Sequence, residues 1–233
     1  LEDILKFKPK KNKRTIVHFK NTTMKVLNLY SCLGGNRKLW KDCEVTAVEL
    51  DPELAKMYKH LYPGDKVIVQ DAHDFLINNF KDFDFIWSSP PCPSHSRARF
   101  WKHSKDNPIY PDLKLYEQII LLNTHFNGKF VIENVKPYYK TLIHPSQEID
   151  RHFYWSNFVI TKPSKTRNVN VCQGKDEIKR LELFHDVSIK DYKGNQRKDK
   201  ILRNMVDYKV GNHIFNLAKG IHESNNTKQT KLF

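Results

Sequence analysis

Phe83-Asp84-Phe85-Ile86-Trp87-Ser88-Ser89-Pro90-Pro91-Cys92-Pro93-Ser94 is an apolar run that stops abruptly in serines, prolines and one cysteine. The apolar part reads as a buried strand. Proline fixes φ and has no amide hydrogen, so three prolines around Cys92 end the strand and hold the thiol on a stiff turn. Open α/β sheets carry their chemistry at the carboxyl ends of strands, and a nucleophile gains from being held in one direction. A cysteine met alone is more often a small buried hydrophobe; the rest of the chain has to decide.

Outward from this strand, short apolar runs recur at Val26 to Tyr30, Val45 to Val48, Val67 to Val69 and Phe130 to Ile132. Runs of this length without polar alternation are strands covered on both faces. Between the second and third, Asp51 and Pro52 supply an N-cap and a first-turn proline, and Leu54, Met57, Tyr58 and Leu61 follow at helical spacing. A second helix is predicted from about Asp112 to Phe126, with Leu113, Tyr116, Ile119, Ile120 and Asn123 near one face and Gly128 ending it. Strands alternating with helices in this rhythm make a largely parallel α/β sheet.

The chain has 233 residues, enough for one α/β domain with a small appendage. Forty Lys and Arg against 26 Asp and Glu leave a net charge of +14, and the pI is about 9.5. A polyanionic partner is the first expectation, nucleic acid ahead of membrane. No apolar stretch nears the roughly 20 residues that span a bilayer, and the first residues lack an apolar signal core. Cys32, Cys43, Cys92 and Cys172 are scattered, with neither C-x-x-C spacing nor the density of a disulfide framework. The histidines form no H-x-x-x-H pair, so no metal site is expected.

The predicted organisation is a basic arm or linker over 1–23, a chain whose natural start lies upstream of Leu1, a core over 24–160, and a polar stretch over 161–200 that forms a small lobe. A helix over 201–222 returns to the core, carried by Ile201, Leu202, Met205, Val206, Val210, Ile214, Phe215, Leu217, Ala218 and Ile221. A polar tail over 223–233 ends the chain.

The strand ends offer a row of polar groups. The first ends in Tyr30-Ser31-Cys32-Leu33-Gly34-Gly35, a small-residue turn where backbone can approach a ligand. The second ends in Glu49-Leu50, a carboxylate placed to accept from ribose hydroxyls, or else one that helps start a helix. The third ends in Asp71-Ala72, the fourth in Pro90-Pro91-Cys92, and the fifth in Glu133-Asn134-Val135.

In this order the elements resemble the DNA (cytosine-5) methyltransferases. Gln147-Glu148-Ile149-Asp150-Arg151 is similar to that family's Gln-x-Arg-x-Arg element, and Arg203-Asn204 with Val210-Gly211-Asn212-His213-Ile214 to its last two motifs. The resemblance implies a Rossmann-like α/β fold that binds S-adenosylmethionine, with Tyr30, Ser31, Cys32, Leu33, Gly34, Gly35, Glu49, Leu50, Asp71, Ala72, Pro90, Asn212 and His213 about the cofactor. It implies Cys92 as the nucleophile toward carbon 6 of a flipped cytosine, Glu133 at the ring's N3 edge with a raised pKa, and Arg151 at the base's carbonyl oxygen. It further implies double-stranded DNA as partner, Lys and Arg of 162–203 on its backbone, a restriction-modification setting, a monomer, and the cytoplasm of a bacterial or phage-infected cell. RNA as substrate, and a catalytically weak DNA-binding relative, are the alternatives.

Tyr30 stands where the family usually has phenylalanine, Asn28 and Cys32 replace common aspartate and glycine positions, Pro93 replaces glutamine after the nucleophile, and Ile149 replaces the first arginine of Gln-x-Arg-x-Arg. The interval from Arg151 to Arg203 is short for a recognition region, which implies a short or relaxed target. Gln229-Thr230-Lys231-Leu232-Phe233 resembles the peptides that dock on bacterial sliding clamps.

Overall fold

The computed structural model describes residues 23–100, 109–163 and 176–221. Nearly all of the basic arm, part of the polar stretch and the clamp-like tail lie outside them. The strands are β1 Met24–Leu29, β2 Cys43–Glu49, β3 Lys66–Val69, β4 Phe85–Ser88, β5 Lys129–Val135, β6 Gln147–Ile149 and β7 His152–Ser156. The helices are α1 Pro52–Leu61, α2 Ala72–Asn79, α3 Lys114–His125, α4 Glu177–His185, α5 Lys198–Asn204 and α6 Tyr208–Ala218. One sheet runs in the order β3-β2-β1-β4-β5-β7-β6. The first five strands pair in parallel; β7 and β6 close the edge antiparallel.

The apolar runs are strands because both faces of the sheet are covered. Along β4, Phe85 and Trp87 enter one cluster with Val26, Trp40, Val131, Ile214 and Phe215. Ile86 enters the opposite one with Leu27, Leu29, Phe75, Ile119, Leu122 and Ile132. Alternate residues thus feed opposite cores, and each must be apolar. The chain runs β1 to β3 in one direction and then crosses back to put β4 on the other side of β1. The carboxyl ends of β1 and β4 therefore flank a switch point, with Leu29 opposite Ser88.

The predicted α1 is present, with Asp51 as N-cap accepting from the amides of Glu53 and Leu54. In α3 the buried face is Leu115, Tyr116, Ile119 and Leu122; Leu113 and Ile120, expected on that face, are exposed. The eight-residue α2 and the β6–β7 hairpin have no counterpart in the sequence reading, being too short to show a period. The single returning helix read over 201–222 is two helices. Met205 is extended, and Asp207 starts α6 by accepting from the Lys209 amide. The polar stretch contains α4, and Leu181, Ile189 and Tyr192 pack with Leu33, Leu54, Ile201 and Leu202 of the core. Among the described residues no helix is long and apolar enough to cross a membrane.

Helix α6 approaches the turn after β1 through Gly211. Its carbonyl accepts from Trp40 Nε1 at 3.2 Å, and a Cβ there would lie 2.5 Å from the Asn36 carbonyl oxygen. Backbone cannot yield as a side-chain tip can, so Gly211→Ala is expected to cost about 1–3 kcal/mol, measured as a lower urea midpoint with unchanged slope.

Candidate active site

The turn after β1 is built from strained backbone. Tyr30 and Cys32 hold φ of 55° and 48° although neither is glycine, a conformation that costs about 1–3 kcal/mol per residue. The turn aims the Cys32 amide at Glu49 Oε2, 2.8 Å away, while Glu49 Oε1 accepts from the Asp51 amide at 3.0 Å. One carboxylate thus joins the tips of β1 and β2. Burial pushes the Glu49 pKa up, opposed by those amide bonds. Gly34, at φ 67°, lies where a Cβ would meet the Tyr62 ring at 2.5 Å, and the Tyr62 hydroxyl donates to its carbonyl at 2.9 Å.

Around this turn stand Leu50, exposed at the tip of β2, and Asp71, whose Oδ1 caps α2 by accepting from the His73 and Asp74 amides. Ala72 is buried behind it. Tyr30 is fixed from below: its hydroxyl accepts from Gln118 Nε2 at 3.0 Å, and Gln118 Oε1 accepts from Ser88 Oγ at 2.6 Å. The buried Ser31 hydroxyl has no hydrogen-bond partner among the described residues. A small-residue turn with an orphaned hydroxyl, beside a carboxylate and an exposed leucine, fits a ligand with polar amino-acid and ribose parts and a flat apolar ring.

The cysteine turn is fastened from β5. Asn134 Nδ2 donates to the Pro90 carbonyl at 3.0 Å in the buried interior. The Cys92 carbonyl accepts from the His95 and Ser96 amides, each at 3.0 Å. Beyond it, Tyr138 N donates to the His95 carbonyl at 3.0 Å, and His95 Nδ1 lies 2.6 Å from the Tyr139 hydroxyl. Burial depresses the His95 pKa.

Glu133, next to Asn134 on β5, is buried, and burial lifts its carboxyl to about 7 against the opposing effects of a hydrogen bond with Ser89 and the Arg151 charge. Its Oε1 lies 3.3 Å from His152 Nε2. Burial, then the Glu133 charge, raises the Cys92 thiol; Lys200 and Arg151 lower it. Cys92, Glu133 and Arg151 therefore share one electrostatic site, with Pro90 at its base. Arg151 is exposed, and its Nη2 donates to the Arg203 carbonyl at 2.9 Å.

One expected cofactor residue sits differently. His213 is turned to Thr161, with Nε2 3.1 Å from Oγ1 and 2.9 Å from the carbonyl oxygen. It is two residues from Gly211, which faces Asn36 in the turn; two residues are about 200° of helix, so His213 points the other way. Asn212 lies between them, half-buried. Residues the sequence reading did not assign are Ser89, Asn134, His152 and Gln118, together with Tyr192 and Gln196, which both donate to Asp51 Oδ2; Lys200, one of the 162–203 cations expected on nucleic acid, acts on the Cys92 thiol. Only Asn134, inside the Glu-Asn-Val run, carried a sequence signal. Among the described residues no group of three or more His, Cys, Asp and Glu could hold a metal ion.

A sequence model of the family described as C-5 cytosine-specific DNA methylase matches residues 24–148. No curated protein matches the chain. A mutant of DNMT2 from Spodoptera frugiperda is 27% identical at a TM-score of 0.37, over 48% of this chain and 36% of that one. A SAM-dependent methyltransferase from Agrobacterium tumefaciens is 17% identical at 0.35, over 52% and 41%. The methyltransferase EhMeth from Entamoeba histolytica is 16% identical at 0.33, over 49% and 38%. The matched region spans well under half of each of these structures.

The raised Glu133 pKa has a consequence for stability. Between the ordinary value of 4.5 and about 7, the folded protein holds a proton that the unfolded chain has released, so stability falls as pH rises through that window. Glu133→Gln is expected to be more stable than wild type at about pH 8, by no more than about 3 kcal/mol, and to lose the advantage below pH 4.5, as read by urea unfolding at both pH values. Asn134→Ala leaves the buried Pro90 carbonyl unpaired, which costs about 1–3 kcal/mol and should speed alkylation of Cys92 by iodoacetamide.

Proposed function

The chain belongs to the C-5 cytosine-specific DNA methylase family, and from that premise we propose that it methylates carbon 5 of cytosine in DNA through a covalent adduct on Cys92. S-adenosylmethionine is the cofactor; when bound it supplies a methyl group activated by the sulfonium. Residues 30–35, Glu49, Leu50, Asp71, Ala72 and Pro90 are the residues that would hold it, with the Ser31 hydroxyl and the Glu49 carboxylate as its polar contacts.

The observation that carries the reading is the pairing of Cys92 with a buried carboxyl poised near neutrality. Carbon 5 of cytosine is a weak nucleophile. Addition of Cys92 Sγ at carbon 6 enriches carbon 5, and the charge that develops at N3 needs a hydrogen-bond donor there. Glu133 can donate only when protonated, and its burial keeps it so to about pH 7. The two groups favour the same proton placement. Burial still holds the thiol above its ordinary value, but with the proton on Glu133 the carboxylate charge that adds to that effect is gone, while Lys200 and Arg151 continue to oppose it. After methylation a solvent base takes the carbon 5 proton, the C–H electron pair re-forms the double bond between carbons 5 and 6, and Sγ leaves as the thiolate.

The stiff turn sets the direction of attack, since Asn134 fixes the Pro90 carbonyl two residues before the sulfur. A base inside a duplex cannot reach this turn, so the enzyme acts on a flipped nucleotide. The excess of 14 positive charges supplies the phosphate contacts that hold the duplex while the base is unstacked.

DNA carrying 5-fluorocytosine cannot release the adduct. With cofactor present it should cross-link to the wild type and not to Cys92→Ala, seen as a retarded band in denaturing gels. Methylation by Cys92→Ala would sink the covalent mechanism, and label entering a matched RNA but not the DNA would move the substrate to RNA.

A further inference from the structure

The pairing of β5 with β7 decides which side chains reach Glu133. Glu133 stands opposite Tyr154, and Val135 opposite His152. Residues directly opposed in an antiparallel ladder share a face, as do residues two apart on one strand. Glu133, Val135, His152 and Tyr154 are therefore on one face. Arg151 lies one residue earlier, in the turn that follows the left-handed Asp150, out of step with that face. The contacts follow the parity. His152 Nε2 lies 3.3 Å from Glu133 Oε1, with side chains 24% and 10% exposed, whereas the Arg151 guanidinium is bonded to the Arg203 carbonyl.

We propose that His152, beside the Ser89 hydrogen bond and the Arg151 charge, helps to orient the Glu133 carboxyl and adds to the bias on its charge. His152 acts through Glu133 and is a positioning residue; the inference rests on the reading of Glu133 as the group at the N3 edge of cytosine. The other groups around the carboxyl are Cys92 and Ser89 from the turn after β4, Arg151 from the β6–β7 turn and Tyr154 from β7. Lys200 of α5 acts on Cys92, and Asp150 and Asp207 act on Tyr154. Against the burial that keeps the carboxyl protonated, a neighbour able to carry positive charge pulls the other way. A single proton passing from Nε2 to Oε1 turns imidazolium and carboxylate into imidazole and carboxylic acid, with no other reactant.

Carbon-13 NMR of the Glu133 carboxyl, assigned by its loss in Glu133→Gln, tests this directly across pH in the wild type, His152→Gln and His152→Arg. Taking away the chargeable ring leaves burial less opposed, so the midpoint near pH 7 should rise by about one pH unit in His152→Gln. A permanent cation should lower it by about as much in His152→Arg. In methyl-transfer assays at neutral pH, His152→Gln should lose about tenfold in kcat with the cofactor KM unchanged. Midpoints that stay at the wild-type value, shifts of the same sign in both variants, or an unchanged kcat in His152→Gln overturn the inference. Wild-type methylation by Glu133→Gln would instead overturn the role given to Glu133 itself, whatever the titration of the His152 variants shows.

Discussion

A single buried hydrogen bond, from the Asn134 side-chain amide to the Pro90 carbonyl, sets the relation on which the rest of the site depends. Parallel pairing of β4 with β5 brings both strands to the same edge in register, Ser88 opposite Ile132. It does not by itself fix the loop beyond β4. Three prolines, Pro90, Pro91 and Pro93, limit that loop's dihedrals, and the Asn134 amide holds the Pro90 carbonyl in place. Glu133, the next residue back on β5, is then held in a constant relation to Cys92. An unpaired carbonyl in that interior would be costly, so the bond is a constraint as much as an attraction.

The same burial that makes this bond firm governs the ionisable groups. It raises Glu133 to about 7 and lifts Cys92 above its ordinary value. Water would favour both charges, and exposing either group would bring it back toward its solution behaviour. The positive side chains at the rim oppose the effect without cancelling it, because they sit where solvent screens them. At the tips of β1 and β2 the arrangement differs. Glu49 is also buried, but two backbone amides meet its oxygens, so a charge there is bonded rather than merely tolerated.

The segment between Arg151 and Arg203 is more closely tied to the core than its polarity indicates. Tyr192 and Gln196 both donate to Asp51, the residue that caps α1 beside Glu49. Arg203 forms a double hydrogen bond with Glu177 at the start of α4. Leu181, Ile189 and Tyr192 of the segment pack on Leu33 and Leu54. They are spaced too irregularly to read as one helix face, and for that reason the stretch looks like a loop in the sequence.

The sequence by itself determined the five parallel strands, α1 and α3, and the residues at the strand tips, because strands covered on both faces must be apolar throughout and turns need glycine, proline or a capping carboxylate. It also carried Cys92 and Glu133, each within a short run of distinctive residues. Only the tertiary structure decided that His152 comes within 3.3 Å of the Glu133 carboxyl while the Arg151 guanidinium bonds the Arg203 carbonyl, and that His213 turns to Thr161 while Gly211 meets the first turn. Both outcomes depend on register: one residue along a strand reverses the face, and two residues along a helix carry a side chain to the far side. Register at β7 is set by its pairing with β5, a partner distant in sequence, and a linear reading has no access to that pairing.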